Sequence, residues 1–417
     1  MARLGNLKNI TAALKQPNFA WYISGGSIAL FGIWAQRLTI GWLTWELTQS
    51  GFWLGMMAFA DLFPTVLLTP IAGVVADRVD RRIMSIVTQS LGMLQAFTLA
   101  GLTFLGLIDE WLLLLLTFFI GVVWAFNTAA RLTMVPNLIE AEHVSSAIAL
   151  DSVVFNIARF IGPAIAGYLY DAVGPEMSFL LNGLTFSIFV FTLYKCRMVR
   201  DERRGISKSG VFAQAVEGIR YAARHPGIGP ILIVVTALAL GVKPILELLP
   251  GVTGAVYKLS ATELGWMMSV AAVGAILGSF WLAQRGTPVG LTRVVIGTLL
   301  VGALSIFAFT ATDRFAMGLV GVFFIGAAVV LGGTGTQTLM QNAVDGAMRG
   351  RVMSLYGLIY RGVPALGALA MGSAAEFIGF QASLAGGGIV CIGVLIWVYG
   401  RRHVVIQALE GNPSAES

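Results

Sequence analysis

Apolar runs long enough to cross a bilayer recur along almost the whole of this chain, and they leave one class of fold open. Hydropathy and turn signals predict twelve helical spans. The first six cover residues 20–46, 53–75, 83–107, 111–130, 146–172 and 177–196. The second six cover 228–249, 264–283, 292–311, 315–338, 352–377 and 381–400. About 20 apolar residues bridge the ~30 Å hydrocarbon layer. Within that layer only helices and closed barrels satisfy their own backbone groups. Runs this long, without a ten-residue alternation, exclude the barrel. Charge is scarce as well. Asp, Glu, Lys and Arg make up 12% of the 417 residues, against about 25% in soluble domains. The expected fold is an all-α membrane protein of twelve transmembrane helices.

Orientation follows from the basic residues. One side holds Arg3, Lys8, Lys15, Arg78, Arg81, Arg82, Arg131, the 195–224 cluster, Arg285, Arg293, Arg349, Arg351, Arg401 and Arg402. The other holds only Lys258 and Arg314. The rich side is cytoplasmic, which puts both termini inside a bacterial inner (plasma) membrane. The net charge of +6 is spread over short loops and is a topology signal, not a nucleic-acid footprint. Cys196 and Cys391 are expected as free thiols. His143, His225 and His403 lack ligand spacing, so no metal and no cofactor is expected. The first apolar segment has no small-residue cleavage site and is expected to stay as the first span.

The longest polar stretch, Lys195 to Pro226, divides the chain. Its second part, from Val211 to Tyr221, has one apolar face at helical spacing, which suits a helix at the membrane interface. The expected domains are therefore 1–196, a linker over 197–227, a second bundle over 228–400 and a tail over 401–417. The two bundles repeat. Gly162-Pro163-Ala164-Ile165-Ala166-Gly167-Tyr168-Leu169-Tyr170-Asp171-Ala172-Val173-Gly174 matches Gly367 to Gly379 in three glycines and one acid, Asp171 opposite Glu376. The same register sets Asn137 opposite Asn342, Glu140 opposite Asp345 and Gly73 opposite Gly278.

Between spans 2 and 3 lies Gly73-Val74-Val75-Ala76-Asp77-Arg78-Val79-Asp80-Arg81-Arg82, with five charges in six residues. It resembles the signature loop of the major facilitator superfamily, with Asp80 where the superfamily commonly has glycine. Gly32-Ile33-Trp34-Ala35-Gln36-Arg37, Ala130-Arg131, Arg159 to Pro163, Leu249-Pro250 and Arg349-Gly350-Arg351-Val352 resemble a bacterial exporter subfamily that includes macrolide and enterobactin exporters. The resemblance covers nearly the whole chain. It implies two pseudo-symmetric six-helix bundles, related as parallel repeats about an axis along the membrane normal. It also implies a conformational latch at Gly73, Asp77, Arg78 and Arg81, with the Asp77 carboxylate on the open N-terminus of span 11. Gly162-Pro163 with Gly167 resembles the antiporter motif of drug exporters, implying a gating helix. A bent, closely packed helix suits such a gate.

An ionisable residue inside a span faces a cavity or a partner by default. Arg37 and Asp61 lie at similar depth on consecutive helices, and a pair across spans 1 and 2 is expected. In the functional reading Asp61 takes up a proton and frees Arg37 to meet an anionic cargo. The alternative is a static structural pair. Gln36 neighbours them. Lys243 and Glu247 share one face of span 7, as a self-satisfied pair or as part of the path. Arg159 with Asn156 in span 5, and Arg361 in span 11, are the remaining candidates for the substrate and proton path. Gln337 and Gln341 in span 10 are weaker ones.

The function expected is secondary transport. The first reading is proton-coupled efflux of an amphipathic small molecule, leaning towards an anion, by alternating access. An importer or a flippase of a lipid-like or organic anion is the alternative. A transporter-like receptor or scaffold is the alternative of another class. No paired acid, histidine cluster or activated serine within the spans suggests an enzyme. The expected partners are the small-molecule substrate, a proton and membrane lipids, with no nucleic acid, and the chain is expected as a monomer.

Overall fold

A computed structural model describes residues 13–197 and 211–411. Every long element in it is a helix. The first six are α1 (Pro17–Thr48), α2 (Gly51–Arg78), α3 (Arg81–Phe104), α4 (Glu110–Met134), α5 (Val144–Val173) and α6 (Pro175–Lys195). The linker forms α7 (Val211–Arg224). There follow α8 (Ile228–Gly241), α9 (Ile245–Gly251), α10 (Ala261–Arg285), α11 (Leu291–Thr310), α12 (Phe315–Ala343), α13 (Gly346–Tyr399) and α14 (Arg402–Glu410).

Ten helical stretches are long and apolar enough to cross a membrane. One of them, within α13, is two spans joined without a loop, because Gly379 turns the chain with φ 77° and ψ 160°. Helix α1 is as long as the others, but Gln36, Arg37 and Glu46 dilute its apolarity. Counted this way the helices are consistent with twelve spans. At the equivalent place in the first repeat, Gly174 turns α5 into α6 with φ 88° and ψ 166°. Both glycines occupy backbone space that favours glycine, so the register read from sequence returns as matched backbone geometry.

Several boundaries differ from expectation for local reasons. The charged stretch after Gly73 is mostly helical, because α2 runs on through Arg78 and leaves only Val79 and Asp80 to turn. Asp80 has φ −57°, open to any residue, and its carboxylate caps α3 through the amides of Arg82 at 2.8 Å and Ile83 at 3.1 Å. An aspartate therefore fills this N-cap as a good capping residue does. Span 7 does not end at Pro250. It breaks earlier, at Val242 to Pro244, and continues through α9 into a π-helical turn over Val252–Val256. The break falls where Pro244 lacks an amide hydrogen. The tail carries α14, whose Glu410 accepts from the amides of Gly290 at 2.6 Å and Thr292 at 2.7 Å.

The chain packs as two compact units. The first comprises Met1–Leu47, Phe63–Ser207 and Ser260–Ser269, and the second Thr48–Leu62, Lys208–Leu259 and Val270–Ser417. Neither is a continuous half of the sequence. In the first, α3 packs on α4 and α6 around a core that includes Phe19, Tyr22, Ile86, Met134, Leu138 and Phe186. In the second, α13 packs on α8 and α11, and α11 on α12. Cys196 and Cys391 are both buried free thiols.

Candidate functional site

Helix α1 presents two chemically different faces. On one, Gln36 is 5% exposed and tied at both ends of its amide. Its Nε2 donates to Gln95 Oε1 at 3.0 Å, and its Oε1 accepts from Asn182 Nδ2 at 2.6 Å. Gly32, one turn earlier, leaves room for Asn182 and Thr185. Gln36 is thus a structural amide between α1, α3 and α6. Residues one and two positions away point elsewhere, because a helix turns about 100° per residue.

On the other face stands Trp34. The Arg37 guanidinium lies 5.9 Å from its ring centroid, and the Arg159 guanidinium, from α5, 5.8 Å. Phe155 meets the same ring edge-on at 6.0 Å. Two cations on one indole are within cation–π range. The Trp34 Nε1 is buried and has no hydrogen-bond acceptor among the described residues. Gly162 makes the arrangement possible, since a Cβ there would stand 2.9 Å from Trp34 Cβ. Asn156 donates to Ser152 O of its own helix at 2.8 Å. Arg37 belongs to the first compact unit and Asp61 to the second.

Two carboxylates in this unit escaped the sequence reading. Asp151 accepts from Arg131 Nη2 through both oxygens at 2.8 Å, and Tyr22 hydrogen-bonds the same guanidinium. Arg131 is therefore inside α4, held by α5, and not in a loop. The burial rule that singled out Arg159 applies equally to Asp151, which falls inside the span predicted for 146–172. Glu46, near the C-terminal end of α1, accepts from Trp42 Nε1 at 2.7 Å and from the Tyr170 hydroxyl.

The second unit has its own cation on aromatic rings. Lys243 sits in the break between α8 and α9, donates to Tyr360 O at 2.8 Å and lies 4.3 Å from the Tyr360 ring centroid. Tyr356 stacks on Tyr360 at 5.6 Å and donates to Gly333 O at 2.9 Å. Gly333 is small because the Tyr360 ring occupies its side. Glu247 is partly buried, and Arg361 is exposed one residue beyond Tyr360. Pro364 lies inside α13, which continues through it.

At the turn between α2 and α3, Arg82 has a structural role beyond that of a topology charge. Its Nε and Nη2 donate to Leu193 O at 2.9 Å and Tyr194 O at 2.7 Å, closing the end of α6. Arg81 is buried and Arg78 exposed. The Asp77 side chain lies outside the described residues, and a Cβ on Gly73 would meet nothing. Arg351, at the start of α13, pairs with Glu217 of α7 at 2.7 Å. Tyr221 of α7 donates to Asp345 at 3.0 Å. Helix α5 continues through Pro163. Ser269 donates to the Phe160 carbonyl there at 2.5 Å, and Gly167 lies against the Ala261 backbone. Glu140, Glu142 and His143 gather within 4.8 Å in the loop before α5, a proximity their spacing did not suggest. The two acids are exposed.

A family model described as transmembrane secretion effector matches residues 9–416. The chain belongs to that family, within the major facilitator superfamily. Relatives of this secretion-effector chain include the staphyloferrin A transporter of Staphylococcus aureus (strain NCTC 8325 / PS 47). It is 24% identical over 94% of this chain and 98% of the relative. The multidrug efflux pump Tap of Mycolicibacterium fortuitum is 25% identical over 82% and 85%. Among solved structures, the nucleoside transporter NupG superposes with a TM-score of 0.72 at 12% identity, covering 93% of this chain and 98% of that one. At that identity the likeness speaks for the fold alone. This family member is a multi-pass membrane protein of the major facilitator fold.

Proposed function

We propose that this transporter exports an amphipathic, anionic small molecule by alternating access, driven by proton entry. The observation that carries the reading is the pair of guanidinium groups on the Trp34 ring, with an indole N–H left over as a donor. An anion with a flat or apolar body meets both halves of that chemistry: guanidinium groups take carboxylate or phosphate oxygens, and the ring takes the body. Keeping an arginine within each of two spans is costly unless something uses or balances them. Asp61 is the proton acceptor in this scheme, and its neutralisation releases Arg37 for cargo. The names of relatives support efflux of drugs or handling of a siderophore. Lys243 on its tyrosine stack is a further cation that an anionic cargo could meet.

The test is flux in proteoliposomes with an imposed proton gradient, using a macrolide and staphyloferrin A as trial cargoes. Gradient-dependent flux that falls at least tenfold in Arg37→Gln and Arg159→Gln, and becomes gradient-insensitive in Asp61→Asn, is expected. Flux untouched by either arginine change would refute the anion site. Flux of every cargo in the absence of a gradient would refute the coupling.

A further inference from the structure

Two carboxylates occupy equivalent places in the sequence repeat, and each caps a helix that is not its own. Asp171 stands one turn beyond Gly167 in α5, and Glu376 one turn beyond Gly372 in α13. Gly167 lies against the backbone of Ala261 at the start of α10, and Gly372 against the backbone of Gly51 at the start of α2. Each pair of helices therefore approaches to backbone contact through a glycine, and an acid on the same face reaches one turn further.

The acids make corresponding bonds. Asp171 Oδ2 accepts from Ser260 Oγ at 2.6 Å, Thr262 N at 2.9 Å and Thr262 Oγ1 at 2.5 Å. Glu376 Oε1 accepts from Ser50 Oγ at 2.7 Å and Phe52 N at 3.0 Å. In both cases a serine just ahead of the helix also serves its own chain. Ser50 Oγ accepts from Trp53 N at 3.3 Å, and the Ser260 amide donates to Glu263 at 3.0 Å. The first turn of each helix carries amides with no intrahelical acceptor, and the dipole adds positive potential there. A carboxylate from elsewhere is the group such an end takes up. These contacts also account for the composition of the units: residues 48–62 group with the second repeat, and 260–269 with the first.

We propose that Asp171 and Glu376 are paired outer-side clasps, positioning residues that hold the outer ends of the two repeats together and set how often the outward-open state is reached. The proposal rests on the alternating-access reading and is independent of the cargo site. Each clasp joins a span of one repeat to a span of the other, α5 to α10 and α13 to α2, so outward opening must break both. The expected inner-side latch at Asp77 uses the same chemistry once, and the outer side uses it twice.

The test is a distance measurement between spin labels at Leu107→Cys and Asp313→Cys, on equivalent outer loops of the two repeats, in Cys196→Ser/Cys391→Ala protein in nanodiscs without cargo. Losing an N-cap acceptor shifts a helix-end equilibrium by about fivefold. Asp171→Asn or Glu376→Gln should raise the long-distance population about fivefold relative to the short one, and the double variant by about the product of the two. Ser50→Ala with Thr262→Val removes donors from the receiving ends without changing charge, and should shift the same population in the same direction. An unchanged distribution in the double variant, with only a lowered melting temperature, would mean ordinary helix caps and overturn the proposal. Because no cargo is present, that outcome leaves the efflux reading standing. Loss of flux in the arginine variants alongside intact clasps would separate the two in the other direction.

Discussion

Substituting Asp151 tests how much a part-buried ion pair holds the first unit together. Arg131 Nη2 lies 2.8 Å from both Asp151 oxygens, with side-chain exposures of 33% and 23%. A fully exposed pair contributes about 0–1 kcal/mol, whereas removing one partner of a fully buried pair costs about 3–5 kcal/mol. With roughly a quarter to a third of each side chain wet, the coupling should fall between, at about 1.5 kcal/mol, or roughly tenfold in the unfolding equilibrium. The measurement is a double-mutant cycle of Asp151→Asn, Arg131→Gln and both together. Each protein is unfolded by SDS in mixed micelles and followed by tryptophan fluorescence. The double variant should lose about 1.5 kcal/mol less than the sum of the two single variants. A coupling below about 0.3 kcal/mol, the usual scatter of additive sites, would show that the pair is geometry without energy and that Arg131 is held by Tyr22 and packing instead.

Three further outcomes follow from the same structure. Gly167→Val should lower the melting temperature by forcing α5 off the Ala261 backbone, at a cost of about 1–3 kcal/mol. Gly73→Ala, whose Cβ meets nothing, should leave it unchanged, and equal effects at both sites would refute the packing account. Arg82→Ala removes two bonds to the end of α6 and should cost about 2–3 kcal/mol, read as a lower midpoint in the SDS titration, with Arg82→Lys recovering part of it. His225 Nδ1 accepts from the amides of Gly227 at 3.1 Å and Ile228 at 3.2 Å, and burial holds its imidazole below the ordinary histidine range, with Asp345 opposing. The unfolded chain then binds more protons than the folded one as pH falls past about 6.5, so stability contributed at neutral pH is lost on acidification. His225→Asn, which keeps an acceptor but does not titrate, should flatten the melting temperature between pH 7 and 5.5, and an unflattened slope would place the titrating group elsewhere.

Much of the architecture was legible because it depends on length, apolarity and the few residues that interrupt them. The glycine register of the repeat needed no coordinates, and Gly174 and Gly379 show why: a positive φ demands the same residue twice. What escaped was set by partners distant in sequence. Gln36 looked like a cargo residue beside Arg37, and only Gln95 and Asn182 reveal it as a buried amide. Arg131 looked like a cytoplasmic topology charge, because nothing in its neighbourhood announces Asp151 twenty residues on. The break in span 7 was missed because Pro244 lies inside an apolar run of spanning length, and such a run does not say whether a proline interrupts the helix or is carried within it. Glu46 was passed over as the last residue of a span, although Trp42 one turn back and Tyr170 on α5 make it a fixed carboxylate.

The amide ladder through Gln36 limits how α1 can take part in any motion. Each of Gln36, Gln95 and Asn182 relies on another for a bond that hydrocarbon cannot supply, and a rotation or slide of α1 alone would strand several polar atoms at once. Helices α1, α3 and α6 therefore travel as one solid piece. Trp34 rides on the opposite side of that piece, so in the proposed transport cycle any helix that moves relative to its ring must be one outside the ladder.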